Sequence, residues 1–168
     1  MERLWAPWRL EYVTQDKPQG CIFCDKPASG DDRAAYIVHR GVRAYVMLNT
    51  FPYNNGHLMV VPYAHLAALE ELPPETLHEL IDLTQQCARV LKQAVAPDGL
   101  NAGLNLGTAA GAGIAEHLHL HVVPRWKGDT NFMPVLGDVR VIPQSLDQAY
   151  SILHEAFARS DEEREREA

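Results

Sequence analysis

The sequence predicts an α+β fold: an antiparallel sheet of about five strands, one long helix inserted between them and a second helix at the end. Three observations predict it. Short apolar runs bounded by Gly, Pro, Asn and Asp recur through residues 35–62 and 100–124. A stripe with the 3.6-residue period of a helix runs from Leu77 to Val95. A second apolar stripe, opened by Ser145-x-x-Gln148 as a capping box, carries Leu146, Ala149, Tyr150, Leu153, Ala156 and Phe157.

In chain order, residues 1–20 form an aromatic and basic arm with Trp5 and Trp8, which must pack on the body, on a dimer partner or around a base. Cys21-Ile22-Phe23-Cys24 has metal-knuckle spacing, which alone fits zinc, redox chemistry or chance. Residues 27–32 read as a loop. Residues 35–39 and 43–48 read as two strands around Arg40-Gly41, a hairpin candidate, and residues 49–56 as a loop rich in Asn, Pro and Gly. Residues 57–62 form an apolar run too short for a helix, hence a buried strand. A short helical piece is expected over residues 65–72. Pro73-Pro74-Glu75 then opens the long helix, where proline and acid suit the unpaired first N–H groups and the dipole. Its stripe is Leu77, Leu80, Ile81, Thr84, Cys87, Ala88, Leu91 and Val95, and Pro97-Asp98-Gly99 ends it. Residues 100–106 read as a strand and 107–113 as a loop of small residues. Residues 127–144 read as loop with a short apolar piece at 139–142, and the charged tail 161–168 is expected to fray.

A chain of 168 residues holds one domain with a real core, and two would be cramped. The formal net charge of −7 argues against a general nucleic-acid binder, so any phosphate site must be a local pocket. No apolar run approaches a membrane span, and the first ten residues lack the apolar region of a signal peptide. Three cysteines, an odd number, suit a reducing cytoplasm better than a disulfide framework.

Chemistry concentrates in His117-Leu118-His119-Leu120-His121-Val122-Val123-Pro124. As a strand this puts the three imidazoles on one face, about 7 Å apart, and Leu118, Leu120 and Val122 on the other. Two unit charges at that distance repel by about 2.4 kcal/mol at an effective dielectric of about 20. At least one ring is therefore neutral at pH 7, free to act as nucleophile or metal ligand.

The segment resembles the signature of the histidine-triad (HIT) superfamily, His-x-His-x-His followed by two apolar residues. The form "EHLHLHVVPRW" is most similar to the branch with bacterial dinucleoside polyphosphate phosphorylases and hydrolases, and the resemblance spans residues 21–126. It implies a five-stranded antiparallel sheet, in a homodimer whose sheets join. It implies His119 as the nucleophile that forms a nucleotidyl-histidine, and His121 as a donor to a phosphate oxygen. His117 would fix the site, its carbonyl orienting the far nitrogen of His119. Asn49 and His57 match positions at the ribose and the site edge, and Asn105 one that reaches the α-phosphate. The small-residue loop, Gly113 included, allows close backbone approach to phosphate. Trp126 is a candidate for stacking on a base or shaping the acceptor end, or else packs in the core.

Some relatives with a CIFC motif carry zinc, which implies a closed Cys₂His₂ site of Cys21, Cys24, His65 and His117. One departure stands out. Where many relatives have Gly-Gln-Ser/Thr-Val, this chain has Ala112-Gly113-Ile114-Ala115. Losing that amide and hydroxyl leaves a smaller, less polar site, suited to inorganic phosphate rather than water as acceptor. That points to phosphorolysis of diadenosine tetraphosphate to ATP and ADP. A dinucleoside polyphosphate hydrolase and a nucleoside phosphoramidase are the alternatives. A non-catalytic nucleotide-binding dimer would not need the middle histidine, and a redox or zinc sensor leaves the triad unexplained.

Overall fold

A computed structural model describes residues 20–129 and 144–167. Trp5, Trp8 and the apolar piece at 139–142 lie outside the described residues.

Helices α1 (Ile22–Ala28) and α2 (Asp32–Ala35) precede strands β1 (Ile37–Arg40), β2 (Ala44–Leu48) and β3 (Leu58–Pro62). Helix α3 (Pro74–Val95), strand β4 (Gly99–Leu104), strand β5 (Leu120–Arg125) and helix α4 (Leu146–Glu167) follow. The strands form one antiparallel sheet in the order β1-β2-β3-β5-β4, the α+β arrangement expected.

The strands alternate between two apolar layers. Val46, Leu48, Leu58, Val60, Leu118, Leu120 and Val122 face α3 and α4. Ile37, Tyr45, Met47, Met59 and Val61 face the other way, under α1 and α2, together with Phe23 and Ala35. Register carries one row of this second face straight across the sheet: Ile37↔Met47↔Met59↔His121↔Gly103.

Several expectations need correction. Residues 27–32 are not all loop, because α1 runs from the cysteine motif to Ala28 and α2 follows, capped by the Asp31 side chain on the Ala34 N–H at 3.0 Å. Pro27 sits inside α1 and cannot donate to the Phe23 carbonyl four residues back. That carbonyl instead accepts from the buried Tyr45 hydroxyl at 2.8 Å, which ties α1 to the sheet. Strand β5 starts at Leu120, not at His117. β3 ends in Pro62, so the ladder stops at Val60↔Leu120, and the Leu118 N–H turns to the Leu66 carbonyl at 2.8 Å. The piece expected at 65–72 is only a 3₁₀ turn, Leu69–Glu71.

The stripe of α3 is rotated from the one expected. Ile81 is 55% exposed, while Leu83, Gln86 and Val90 are buried with Leu80, Cys87 and Leu91. The helix contacts both the sheet and α4, and that second contact draws in Gln86, which donates to Asp161 at 2.7 Å. α4 runs on to Glu167 through the segment expected to fray, with His39 paired to Asp161 at 3.1 Å. At its start the capping box closes in both directions, Gln148 N–H to Ser145 Oγ at 3.2 Å and Ser145 N–H to Gln148 Oε1 at 3.1 Å. Among the described residues no helix is long and apolar enough to cross a membrane.

Candidate active site and metal cluster

The face of the sheet turned toward α1 carries two adjoining groups of polar side chains. They meet at His117.

The first group is built of His119, His121 and His57. His119 is 6% exposed, and its Nδ1 lies 2.9 Å from the His117 carbonyl. A carbonyl only accepts, so Nδ1 carries the proton and Nε2 carries the lone pair. The tautomers of the next two rings follow by the same bookkeeping. The Tyr53 main-chain N–H donates to His57 Nδ1 at 3.1 Å, and the Asn49 amide Nδ2 lies 3.3 Å from the same atom. His57 therefore holds its proton on Nε2, 3.0 Å from His121 Nδ1, and donates it there. His121 in turn keeps its own proton on Nε2. Two neighbouring rings, 4.8 Å apart in a T-shaped pair, thus show opposite characters: a lone pair on His119 and an N–H on His121.

Burial sets the charge state. It pushes His57 down to about 3, helped by the neighbouring His121 and His119. Burial and His119 push His121 down to about 4. Burial also holds His119 and His117 below the usual histidine value. Burial thus favours the neutral form of all four rings, which eases the repulsion expected from three charged imidazoles.

The second group is Cys21, Cys24, His65 and His117, whose ligand atoms all lie within 4.8 Å of one another. His117 Nε2 donates to the Pro62 carbonyl at 2.9 Å, so its Nδ1 lone pair faces the sulfurs at 3.3 and 3.6 Å. His65 Nδ1 is 3.3 Å from Cys24 Sγ. The S···N edge of a tetrahedral zinc site, from its bond lengths, is about 3.6 Å. A histidine that gives its other N–H to a backbone carbonyl also matches the usual support of a metal ligand. The donor set and its spacing suit a metal ion.

Other expected site residues fall in different places. Asn49 is committed to the loop, its Oδ1 accepting from the Phe51 N–H at 2.9 Å. His57 is fully buried, its Nδ1 accepting from the Tyr53 N–H and its Nε2 lying on His121 Nδ1. The pairing of β4 and β5 ends at Leu104↔Leu120, and Asn105 follows β4 directly. Gly113 is exposed on the loop before the triad, and Ile114 packs on the apolar cluster of Met59 and Val61. Trp126 lies past the far end of β5, about 16 Å from His121 by the strand rise.

Two residues were missed from sequence. Phe23 lies 4.7 Å from the His119 ring and 5.4 Å from that of His117. Tyr53 lies 4.8 Å from His57 and 5.7 Å from His121. Phe23 sits inside the cysteine motif, which was a signal; nothing marked Tyr53 within its loop.

A model of the HIT domain matches residues 33–128. Over 168 aligned residues, covering 95% of this chain and 86% of the relative, the sequence is 44% identical to an AP-4-A phosphorylase of Mycobacterium tuberculosis. It is 32% identical to an uncharacterized HIT-like protein of Saccharolobus solfataricus, over 67% of this chain and 79% of that one. Among solved structures it is similar to a Zn-bound histidine triad family protein from Mycobacterium smegmatis, with a TM-score of 0.69 and 27% identity over 85% of this chain and 96% of that chain. A hypothetical histidine triad nucleotide-binding protein from Sulfolobus tokodaii gives a TM-score of 0.67 at 27% identity, over 83% of this chain and 93% of that one. A triad whose middle ring offers a lone pair, on a five-stranded antiparallel sheet matched by sequence and by fold, places this chain in the HIT domain family.

Proposed function

We propose that the protein transfers a nucleotidyl group through His119, and that its reaction is phosphorolysis of diadenosine tetraphosphate to ATP and ADP. The observation that carries this is the opposed pair of neutral rings, a lone pair on His119 Nε2 beside an N–H on His121 Nε2. The similarity to a mycobacterial AP-4-A phosphorylase supports the substrate and the acceptor.

His119 Nε2 attacks the α-phosphorus at one end of the substrate. The new N–P bond forms as the P–O bond to the remaining ATP breaks, and its electron pair leaves on the ATP oxygen. Attack places positive charge on the imidazole, and the His117 carbonyl on Nδ1 stabilises it. His121 donates its N–H to the oxygens where negative charge grows. Inorganic phosphate then attacks the adenylyl-histidine, the N–P bond breaks, ADP leaves and neutral His119 returns. Ile114, turned into the apolar cluster, adds no amide or hydroxyl to hold a water at this step.

The metal in this reading is zinc, held by Cys21, Cys24, His65 and His117. A closed set of two thiolates and two imidazoles supplies structural anchorage and leaves no open position for substrate. The reading also includes a reducing cytoplasm, where both thiols stay available, and a homodimer joined along β4. That strand is one of the two sheet edges, with Asn101, Ala102 and Gly103 exposed.

The test is to incubate the protein with diadenosine tetraphosphate, with and without inorganic phosphate, and separate the nucleotides. ATP plus ADP is expected only with phosphate. ATP plus AMP regardless of phosphate means a hydrolase, and no turnover moves the substrate to phosphoramidates.

A second expectation tests where the substrate lies. Gly103 pairs with His121, and a Cβ built on it meets nothing within 4 Å. A side chain there stands on the face of the sheet, whereas edge pairing uses the backbone, so Gly103→Leu should fold and keep the parent's oligomeric state, which is measured beside its melting temperature. Directly paired residues hold their Cβ atoms about 5 Å apart, so the new side chain occupies the space beside His121. kcat/KM should fall by about 100-fold, the cost of a substrate displaced by roughly 1 Å. An unchanged kcat/KM would show that the substrate does not cross the sheet on the β4 side.

A further inference from the structure

We infer that Phe23 is a positioning residue for His119, with the cysteine turn that carries it as its mount. The inference rests on His119 being the nucleophile. Among the described residues, three contacts hold the His119 ring. The His117 carbonyl takes its Nδ1 proton at 2.9 Å, His121 meets it as a T-shaped pair at 4.8 Å, and Phe23 lies against it at 4.7 Å with a 44° tilt. Torsion about χ2 of histidine is soft, so a single hydrogen bond leaves the ring free to swing. The Phe23 ring, packed at 4.7 Å, restricts that swing.

Phe23 is itself held unusually firmly for a residue in a seven-residue helix. It is 1% exposed. Its carbonyl, released from the helix by Pro27, accepts the Tyr45 hydroxyl at 2.8 Å. It lies between Cys21 and Cys24, whose sulfurs reach the same His117 whose carbonyl orients His119. The ring also touches His117 edge-on at 5.4 Å. The turn thus reaches the nucleophile by two routes, through the His117 backbone and through the Phe23 ring. An anchor serving only to hold the chain would need neither route.

The experiment compares Phe23→Leu and Phe23→Ala with the unaltered protein, each with its metal content measured. Leucine keeps apolar volume in the cluster but lacks the flat ring. Phe23→Leu is expected to retain the metal, to melt close to the parent and to keep KM within about 3-fold, while kcat falls about 10-fold or more. Phe23→Ala, if folded, should lose about 100-fold in kcat. Histidine ring ¹⁵N–¹H spectra supply a readout that needs no substrate, so it stands even if diadenosine tetraphosphate is not turned over. The Nδ1–H signal of His119 should shift and broaden in Phe23→Leu, while the His57 Nε2–H signal stays in place. A Phe23→Leu protein with parental kcat and an unmoved His119 signal overturns the inference. So does a loss of kcat in which the His57 signal changes as much as that of His119, since that marks general loosening. If Phe23→Leu does not fold, the same spectra on Phe23→Met decide by the same criteria.

Discussion

Replacing His119 by alanine lowers kcat for diadenosine tetraphosphate phosphorolysis by at least about 10⁴-fold, the scale seen when a covalent nucleophile is removed. Among the described residues no other histidine on this face can take its place. His121 Nδ1 is occupied by the His57 proton and its Nε2 carries its own, so it has no lone pair to offer. His117 spends Nε2 on the Pro62 carbonyl and turns Nδ1 to the cysteines. His57 is wholly buried. Substrate affinity should change by less than about 10-fold, because the lost ring acts in the transition state rather than in binding. The check is steady-state kinetics alongside a trapping experiment. Substrate labelled in its α-phosphate, mixed with the unaltered protein without inorganic phosphate, should leave acid-labile label on the protein, and His119→Ala should leave none. A variant retaining activity within 10-fold would remove the covalent mechanism and favour the nucleotide-binding reading.

Much of this site is legible in the sequence, and the boundary is physical. Period-2 histidines flanked by leucines specify which face of a sheet they share, because alternation is a property of the strand itself. The grouping of Cys21, Cys24, His65 and His117 was legible only through family resemblance. Cys21 and His117 are far apart in the chain, and their meeting depends on where α1 docks. The support of His57 was not legible, since a main-chain N–H carries no sequence signature and that of Tyr53 is what sets its tautomer. α1 was hidden for a related reason. Pro27 and the small residues after it read as a loop, yet proline late in a short helix loses one bond, and here the orphaned carbonyl finds a hydroxyl. The α3 stripe was misplaced by a face, because a helix that packs on both a sheet and another helix buries a wider sector than one stripe.

Stripping the metal should destabilise the fold and slow the chemistry together. A ligand present at a thousandfold above its dissociation constant stabilises the native state by about 4 kcal/mol. For a chain of this size that corresponds to a fall of roughly 8–16 °C in melting temperature. Cys24→Ser in the protein as isolated should show a fall of the same order, since it removes one of the four ligands, and neither loss should be recovered by adding metal to the variant. The expected coupling to chemistry comes from His117. Its ring belongs to the cluster that could hold a metal and its carbonyl accepts from His119 Nδ1, so a metal that fixes the ring would fix the carbonyl as well. kcat should therefore drop at temperatures well below the lowered melting point, and zinc returned to the unaltered protein should restore kcat and melting temperature in parallel. Calorimetry and kinetics across a zinc titration make the comparison. Recovery of stability without recovery of kcat would separate the two roles of His117, leaving the cluster a clasp for α1 alone. Parallel recovery ties the metal and the nucleophile to one residue, and explains why a closed site with no chemistry of its own lies against the catalytic strand.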